Sequence, residues 1–211
     1  MTTSATGTDR TLGQYLEALA SSAPTPGGGS ASAYTGALGA ALIAMVARLT
    51  KPVDDAAQGA LDIIASKADE VQASLTDCAI ADEAVYAAYR AAAARPKSTD
   101  DEKAARTQAM QAALVRAAEA PIATASAAAT ALELAAECAA IGTSHALSDI
   151  RTARHLLHAA IDGAFENVQV NLDMIKDATE RDRLISAVQQ IQASVGDADL
   201  ALDQALRSRP A

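Results

Sequence analysis

Aromatic side chains are nearly missing from this chain: 2% of its 211 residues, with no tryptophan and a single phenylalanine. Strand-favouring aromatic and β-branched residues are too sparse for a sheet-based fold to be the natural reading. Basic charge is also in deficit. A formal net charge of −9 leaves no basic stripe for a general nucleic-acid binder, although a few local cations or helix N-termini still suffice for a small anion. Cysteine is scarce as well. Cys78 and Cys138 lie far apart and form no CxxC or zinc spacing, so both are expected to be buried thiols of a cytoplasmic protein. The opening MTTSATGTDR has no apolar signal-peptide core and reads as a frayed tail over 1–10. The most apolar run, ASAYTGALGAALIAMVA at 31–47, is shorter than the ~20 residues a spanning helix needs and is rich in Ala and Gly. It is read as a buried helix, with no membrane partner.

What the chain has in quantity is small apolar residues. Half of it is hydrophobic, and alanine, the best helix former, lets helix axes approach closely. The expectation is all-α: one up-and-down bundle of long helices over 11–211, roughly six to eight in number and packed as a dimer. A first helix over 11–20 carries Leu12, Tyr15, Leu16 and Leu19 on one face. The loop PTPGGG follows, with Ser30 as the predicted N-cap of the next helix, which ends at Pro52. A long helix is predicted over 54–94. Thr99 and Glu102 make a T-x-x-E capping box for another, and Pro121 is expected to restart or kink it before Gly142 ends it. Ser148 is a plausible N-cap for a helix through Lys176, and an amphipathic helix closes the chain over 179–206.

Several spacings bear on chemistry. Gly27, Gly28 and Gly29 before a helix can turn N–H groups toward a ligand, or serve simply as a flexible connection. They match neither a P-loop nor a dinucleotide fingerprint. Asp82 and Tyr86 stand one helical turn apart in a mostly apolar stretch, a geometry for a cleft carboxylate engaged in proton transfer or for a solvent-facing Asp beside a packed Tyr. Asn167 and Asn171 share the same spacing and either read a ligand edge or bridge helices. Asp149 follows Ser148 at a helix start, where it complements the dipole. His145, in a loop, is a candidate for acid–base work. His155 and His158 lack a carboxylate partner in a ligand pattern, so no metal site is expected.

In order, these pieces resemble one family. LASSAPTPGGGSASAYTGALGAALIAMVARLT, then Asp82/Tyr86, RPKSTDDEKAARTQAMQAAL, APIATA, LSD and NVQVN are similar to the cyclodeaminase/cyclohydrolase family. The resemblance implies an all-helical homodimer that uses a reduced folate and no metal or redox cofactor. It implies hydrolysis of 5,10-methenyltetrahydrofolate to 10-formyltetrahydrofolate. The alternatives are cyclodeamination of 5-formiminotetrahydrofolate, another cyclic or imine substrate, or a non-catalytic binding module. On this resemblance Asp82 leads for proton transfer, with Asp149 and His145 beside it. Pro26, Gly27, Gly28, Gly29, Ser30, Tyr86, Ser148, Asn167 and Asn171 are expected to bind substrate, and Lys97 and Arg106 to meet the glutamate tail. Two segments depart from the family pattern. LTKPVDDAA replaces a Gly-Lys-rich stretch, and GTSHALSDIRTA puts Thr143, His145, Ile150 and Arg151 where amides or small residues are expected. Both departures are expected to fall in the site.

Overall fold

The computed structural model describes residues 10–209. Its elements are helical throughout: α1 (Leu12–Leu19), α2 (Gly28–Leu49), α3 (Asp55–Ala93), α4 (Asp100–Ile141), a 3₁₀ turn (Ser144–Ala146), α5 (Leu147–Leu172) and α6 (Ala178–Arg207). All but the last residue of the expected tail, 1–9, lies outside the described residues; Arg10 pairs with Glu83 at 3.0 Å.

Local chemistry accounts for most boundaries. The predicted capping box forms, with the Thr99 hydroxyl accepting from Glu102 N–H and the Glu102 carboxylate accepting from Thr99 N–H. Asp54 and Asp177 cap α3 and α6 through their side chains. Four expectations are corrected. Ser30 is not the N-cap of α2; Gly27 is, and Ser30 sits in the first turn. Ser148 does not cap α5, which begins at Leu147 straight out of the 3₁₀ turn. α5 ends at Leu172 rather than Lys176. Pro121, expected to restart or kink the helix, does not restart it, because α4 runs through it for 42 residues. An internal proline costs a helix about 3 kcal/mol. Here Pro121 is itself buried on the same face as Ala118, Thr124, Ala125 and Ala128, so packing of that face holds the helix together.

The five long helices alternate in direction. α2 meets α3 antiparallel, with Gly36 against Leu75 and Arg48 paired to Asp69. α2 also runs antiparallel to α5, with Gly36 against Ala160 and Gly39 against Leu157. α6 lies parallel to α4, tied by Arg183–Glu119 near one end and Ser194–Glu133 further along. Small residues set these distances. A Cβ on Gly39 would stand 2.8 Å from Leu157 Cγ and 3.2 Å from the Ala153 carbonyl. The resulting core is alanine, leucine and isoleucine, with Ala40, Ile43, Ala68, Leu75, Leu132 and Ile150 fully enclosed. Cys138 is buried there and its thiol is pushed up to about 11 by desolvation; Cys78 is half-buried. By length and composition α2 and α4 could each cross a membrane, yet 61% of the apolar window of each is buried inside the bundle.

Glycines in open positions provide a contrast. A Cβ on Gly59 or Gly196 would meet nothing within 4 Å. Alanine at either site is expected to stabilise the protein by about 0.5–1 kcal/mol in urea unfolding. Gly39→Ala is expected to cost about 1–3 kcal/mol in the same measurement, because the added methyl must displace Leu157.

Candidate active site

α2 begins without a side-chain cap, since Gly27 has none to offer. Its first-turn donors must be satisfied from elsewhere. One of them, the Ser30 N–H, donates to Asp82 Oδ2 at 3.1 Å, from the middle of α3. That approach is possible only over Gly29. A Cβ there would collide with Asp82, standing 2.6 Å from its Cγ. Burial raises the Asp82 carboxyl above its ordinary range; the Ser30 N–H opposes the rise and the neighbouring Glu83 charge adds to it. The Ser30 hydroxyl, fully enclosed, lies 3.2 Å from the Tyr15 hydroxyl. Tyr15 in turn packs edge-on against Tyr34, with ring centroids 4.8 Å apart. Thus α1, whose Leu12 and Leu16 stay exposed, is pinned above the start of α2 by one tyrosine.

Opposite Asp82 stands the C-terminal part of α5. Asn167 Nδ2 donates to the Gly163 carbonyl at 2.8 Å. Asn171 Nδ2 donates to Asn167 O at 2.8 Å and across to Ala117 O of α4 at 3.0 Å. These bonds commit the amide nitrogens to backbone carbonyls, so the amide oxygens remain as acceptors. Between the two sides is a cavity of about 290 Å³. Gly27, Gly28, Gly29, Asp82, Tyr86, Asn167 and Asn171 line it, with Pro24, Tyr89, Leu114, Val170 and Met174 completing an apolar wall.

Seven of the residues expected from the sequence therefore meet in one cavity. Ser30 and Pro26 stand behind its wall: both are buried, and Ser30 acts through its amide. The three glycines are not equivalent. Only Gly29 sits where a methyl would collide; at Gly28 a Cβ would make ordinary contact with Asn167 Nδ2 at 3.5 Å. Lys97 is exposed in the α3–α4 loop and is not among the residues lining this cavity, whereas Arg106 lies in an adjoining groove. Asp149, Ser148 and His145 are elsewhere. Asp149 is 18 residues before Asn167 on the same helix, roughly 27 Å along its axis. The two departing segments lie at that far end too and meet each other, Thr143 N–H donating to Thr50 Oγ1 at 2.9 Å. The expectation that they fall in this chain's cavity is corrected. Tyr89, missed in the sequence reading, lies seven residues after Asp82 on the same face of α3 and was accessible by extending the Asp82/Tyr86 spacing. No group of three or more His, Cys, Asp or Glu among the described residues is placed to hold a metal.

Gly29→Ala is expected to push Asp82 off the Ser30 amide, at a stability cost of about 1–3 kcal/mol by urea unfolding. Gly28→Ala, meeting only ordinary contact, is expected to stay within about 0.5 kcal/mol of the parent in that measurement.

Comparison with known proteins bears on the family and the fold. A family model described as formiminotransferase-cyclodeaminase matches residues 11–190. The methenyltetrahydrofolate cyclohydrolase of Methylorubrum extorquens is 32% identical over 203 residues, covering 95% of this chain and 98% of that protein. The formimidoyltransferase-cyclodeaminase of Rattus norvegicus is 31% identical over 189 residues, 86% of this chain but 35% of the larger rat protein. The crystal structure of formiminotetrahydrofolate cyclodeaminase from Thermotoga maritima superposes with a TM-score of 0.84 at 25% identity, covering 94% of this chain and 96% of that one. Sequence and fold thus agree over nearly the whole length, and the chain belongs to the formiminotransferase-cyclodeaminase family.

Proposed function

We propose that this protein is a methenyltetrahydrofolate cyclohydrolase, acting in the cytoplasm as a homodimer and without a metal or redox cofactor. The full-length likeness to the Methylorubrum enzyme supports the choice of reaction. The observation that carries it is a buried carboxyl, held above its ordinary range, that faces two asparagine amides across a cavity of pterin size. The substrate's reactive carbon is a cationic amidinium between two nitrogens. Water adds to that carbon and gives a proton to Asp82. Asp82 returns the proton to the ring nitrogen as its bond to carbon breaks, while the hydroxyl becomes the formyl carbonyl and releases its proton to solvent. The chemistry is proton transfer throughout. A base whose proton affinity is lifted toward the working pH is the efficient kind for it. The Asn167 and Asn171 oxygens suit the N–H donors along the pterin edge, and the apolar wall keeps bulk water from the amidinium.

Cyclodeaminase activity is the second reading, favoured by the Thermotoga likeness. The same cavity would then expel ammonia from a formimino group.

The dimer reading rests on α2. Leu38, Met45 and Leu49 are exposed along one side of this otherwise buried helix. A two-fold axis across that stripe runs the paired helices antiparallel. It turns the far end of each chain, with His145, Ser148 and Asp149, toward the partner's cavity.

Purified protein is expected to speed the loss of the methenyl absorbance of its substrate; ammonia release from formiminotetrahydrofolate would identify the second reading instead. Asp82→Asn is expected to lower kcat by roughly 10²–10⁴-fold yet raise Tm. Its Tm advantage is absent below the ordinary aspartate range and grows as pH rises through the elevated folded-state value, because only the parent must then hold a buried charge. Mixing inactive Asp82→Asn and Asp149→Asn subunits tests the shared site. Heterodimers are expected to restore up to about a quarter of parental activity, whereas sites confined to one chain would leave the mixture inactive.

A further inference from the structure

Among the described residues, Asp82 is the only charged one that lines the cavity, and Tyr86 and Tyr89 are the other titratable ones. Both tyrosines are neutral where a carboxyl titrates. The α4 and α5 walls contribute Leu114, Ala117, Asn167 and Asn171, none of which takes a charge. The electrostatics of Asp82 are therefore set from outside the cavity. Glu83 is the next residue of α3, about 100° round its axis, and is not part of the lining. It meets Arg10, the residue before the Thr11 cap of α1, through both carboxylate oxygens. Arg10 Nη1 donates to Oε1 at 3.0 Å and Nη2 to Oε2 at 3.4 Å. With side-chain exposures of 15% and 24% this pair is well enclosed, whereas Arg48–Asp69, at 54% and 49%, is open to solvent. Enclosed charges are screened less.

α1 thus rests on two groups that flank the carboxyl. Arg10 holds Glu83, the residue after Asp82, and Tyr15 meets the hydroxyl of Ser30, whose N–H donates to Asp82. Tyr15 is the only buried residue of α1, while Leu12 and Leu16 are exposed. Polar contacts at Arg10 and Tyr15, rather than an apolar face, locate this helix. Directly after it, Pro24, Thr25 and Gly27 form part of the cavity wall. The negative charge of Glu83 makes Asp82 harder to ionise, and a guanidinium seated on Glu83 works against that effect.

We infer that Arg10 is a positioning residue for proton transfer at Asp82, acting through Glu83: the pair balances the charge beside the carboxyl and, with Tyr15, holds α1 and the loop that follows it against the cavity. Its bearing on turnover rests on the cyclohydrolase reading above; the charge balance does not.

The Asp82 carboxyl carbon, labelled with ¹³C and assigned by its loss in Asp82→Asn, reports the titration by NMR without substrate. Arg10→Met is expected to raise the midpoint by about half a pH unit, because Glu83 is then unopposed, and Glu83→Gln to lower it by a similar amount. Arg10→Met/Glu83→Gln removes both charges and is expected to return the midpoint to near the parent's. A merely structural role for either residue would give no such return. Arg48→Met, which breaks a pair about 20 Å along α3 from Asp82, is the control and should leave the midpoint unchanged. Glu83→Gln keeps a hydrogen-bonding side chain against Arg10, so it carries the test alone if Arg10→Met loosens α1. Unmoved midpoints in both single variants, or shifts of the same sign, would overturn the inference. In turnover the acidic limb of kcat/KM is expected to follow the same order as the midpoints. A limb that stays put while the midpoints move would overturn Asp82 as the proton-transferring group and support the charge balance alone.

Discussion

A carboxylate from the middle of α3 closes the N-terminus of α2, and the missing side chain of Gly29 is what lets it in. Much of the site follows from that contact. Because Gly27 offers no cap, the first turn of α2 borrows Asp82 as its acceptor, and the price is a carboxyl held out of water. A helix N-terminus favours negative charge, while burial opposes it, and the balance leaves Asp82 with raised proton affinity. One interaction therefore sets the spacing of two helices, completes a helix end and leaves a carboxyl with raised proton affinity facing the cavity. Tyr15 extends the arrangement by meeting the Ser30 hydroxyl from behind, so the short α1 is registered on the same turn.

α5 supplies the opposite wall by a similar economy of small groups. Gly36, Gly39 and Gly163 bring α2 and α5 close enough that Asn167 lies 3.5 Å from where a side chain on Gly28 would begin. Asn171 then bonds across to α4. The amides thus bridge helices and face the cavity at once, and the two readings that their spacing left open are both realised. Groups committed to backbone carbonyls cannot rotate to suit water, and their orientation is fixed before a ligand arrives.

The sequence discloses more about which residues share a face than about where along the bundle they fall. Alanine content and the Thr99/Glu102 box announce long helices, and of the two readings left open by the Asp82/Tyr86 spacing the structure shows the cleft, with both residues lining one cavity. The period of a helix gives rotation about its axis; axial position depends on how neighbours slide past one another, which no local pattern encodes. Asp149 and Asn167 both look site-like on spacing, yet they occupy opposite ends of α5. Ser30 departs from its expected capping role for a related reason. Ser is a favoured cap locally, but here the cap comes from a residue 52 positions away. Pro121 reads as a restart or a kink because its cost is local, whereas the burial that lets α4 continue through it is tertiary.

Axial position also changes what the two unusual segments mean. LTKPVDDAA and GTSHALSDIRTA are distant in the chain but adjacent in space, joined by the Thr143–Thr50 bond at the end remote from Asp82. Within one chain they leave the cavity untouched: its glycines, carboxyl and amides are those the family resemblance calls for. Changes at that end stand about a helix length from Asn167 within the chain, and they bear on the chemistry only under the dimer proposed above. Thr143, His145 and Asp149 matter to catalysis only to the extent that α2 pairs with α2.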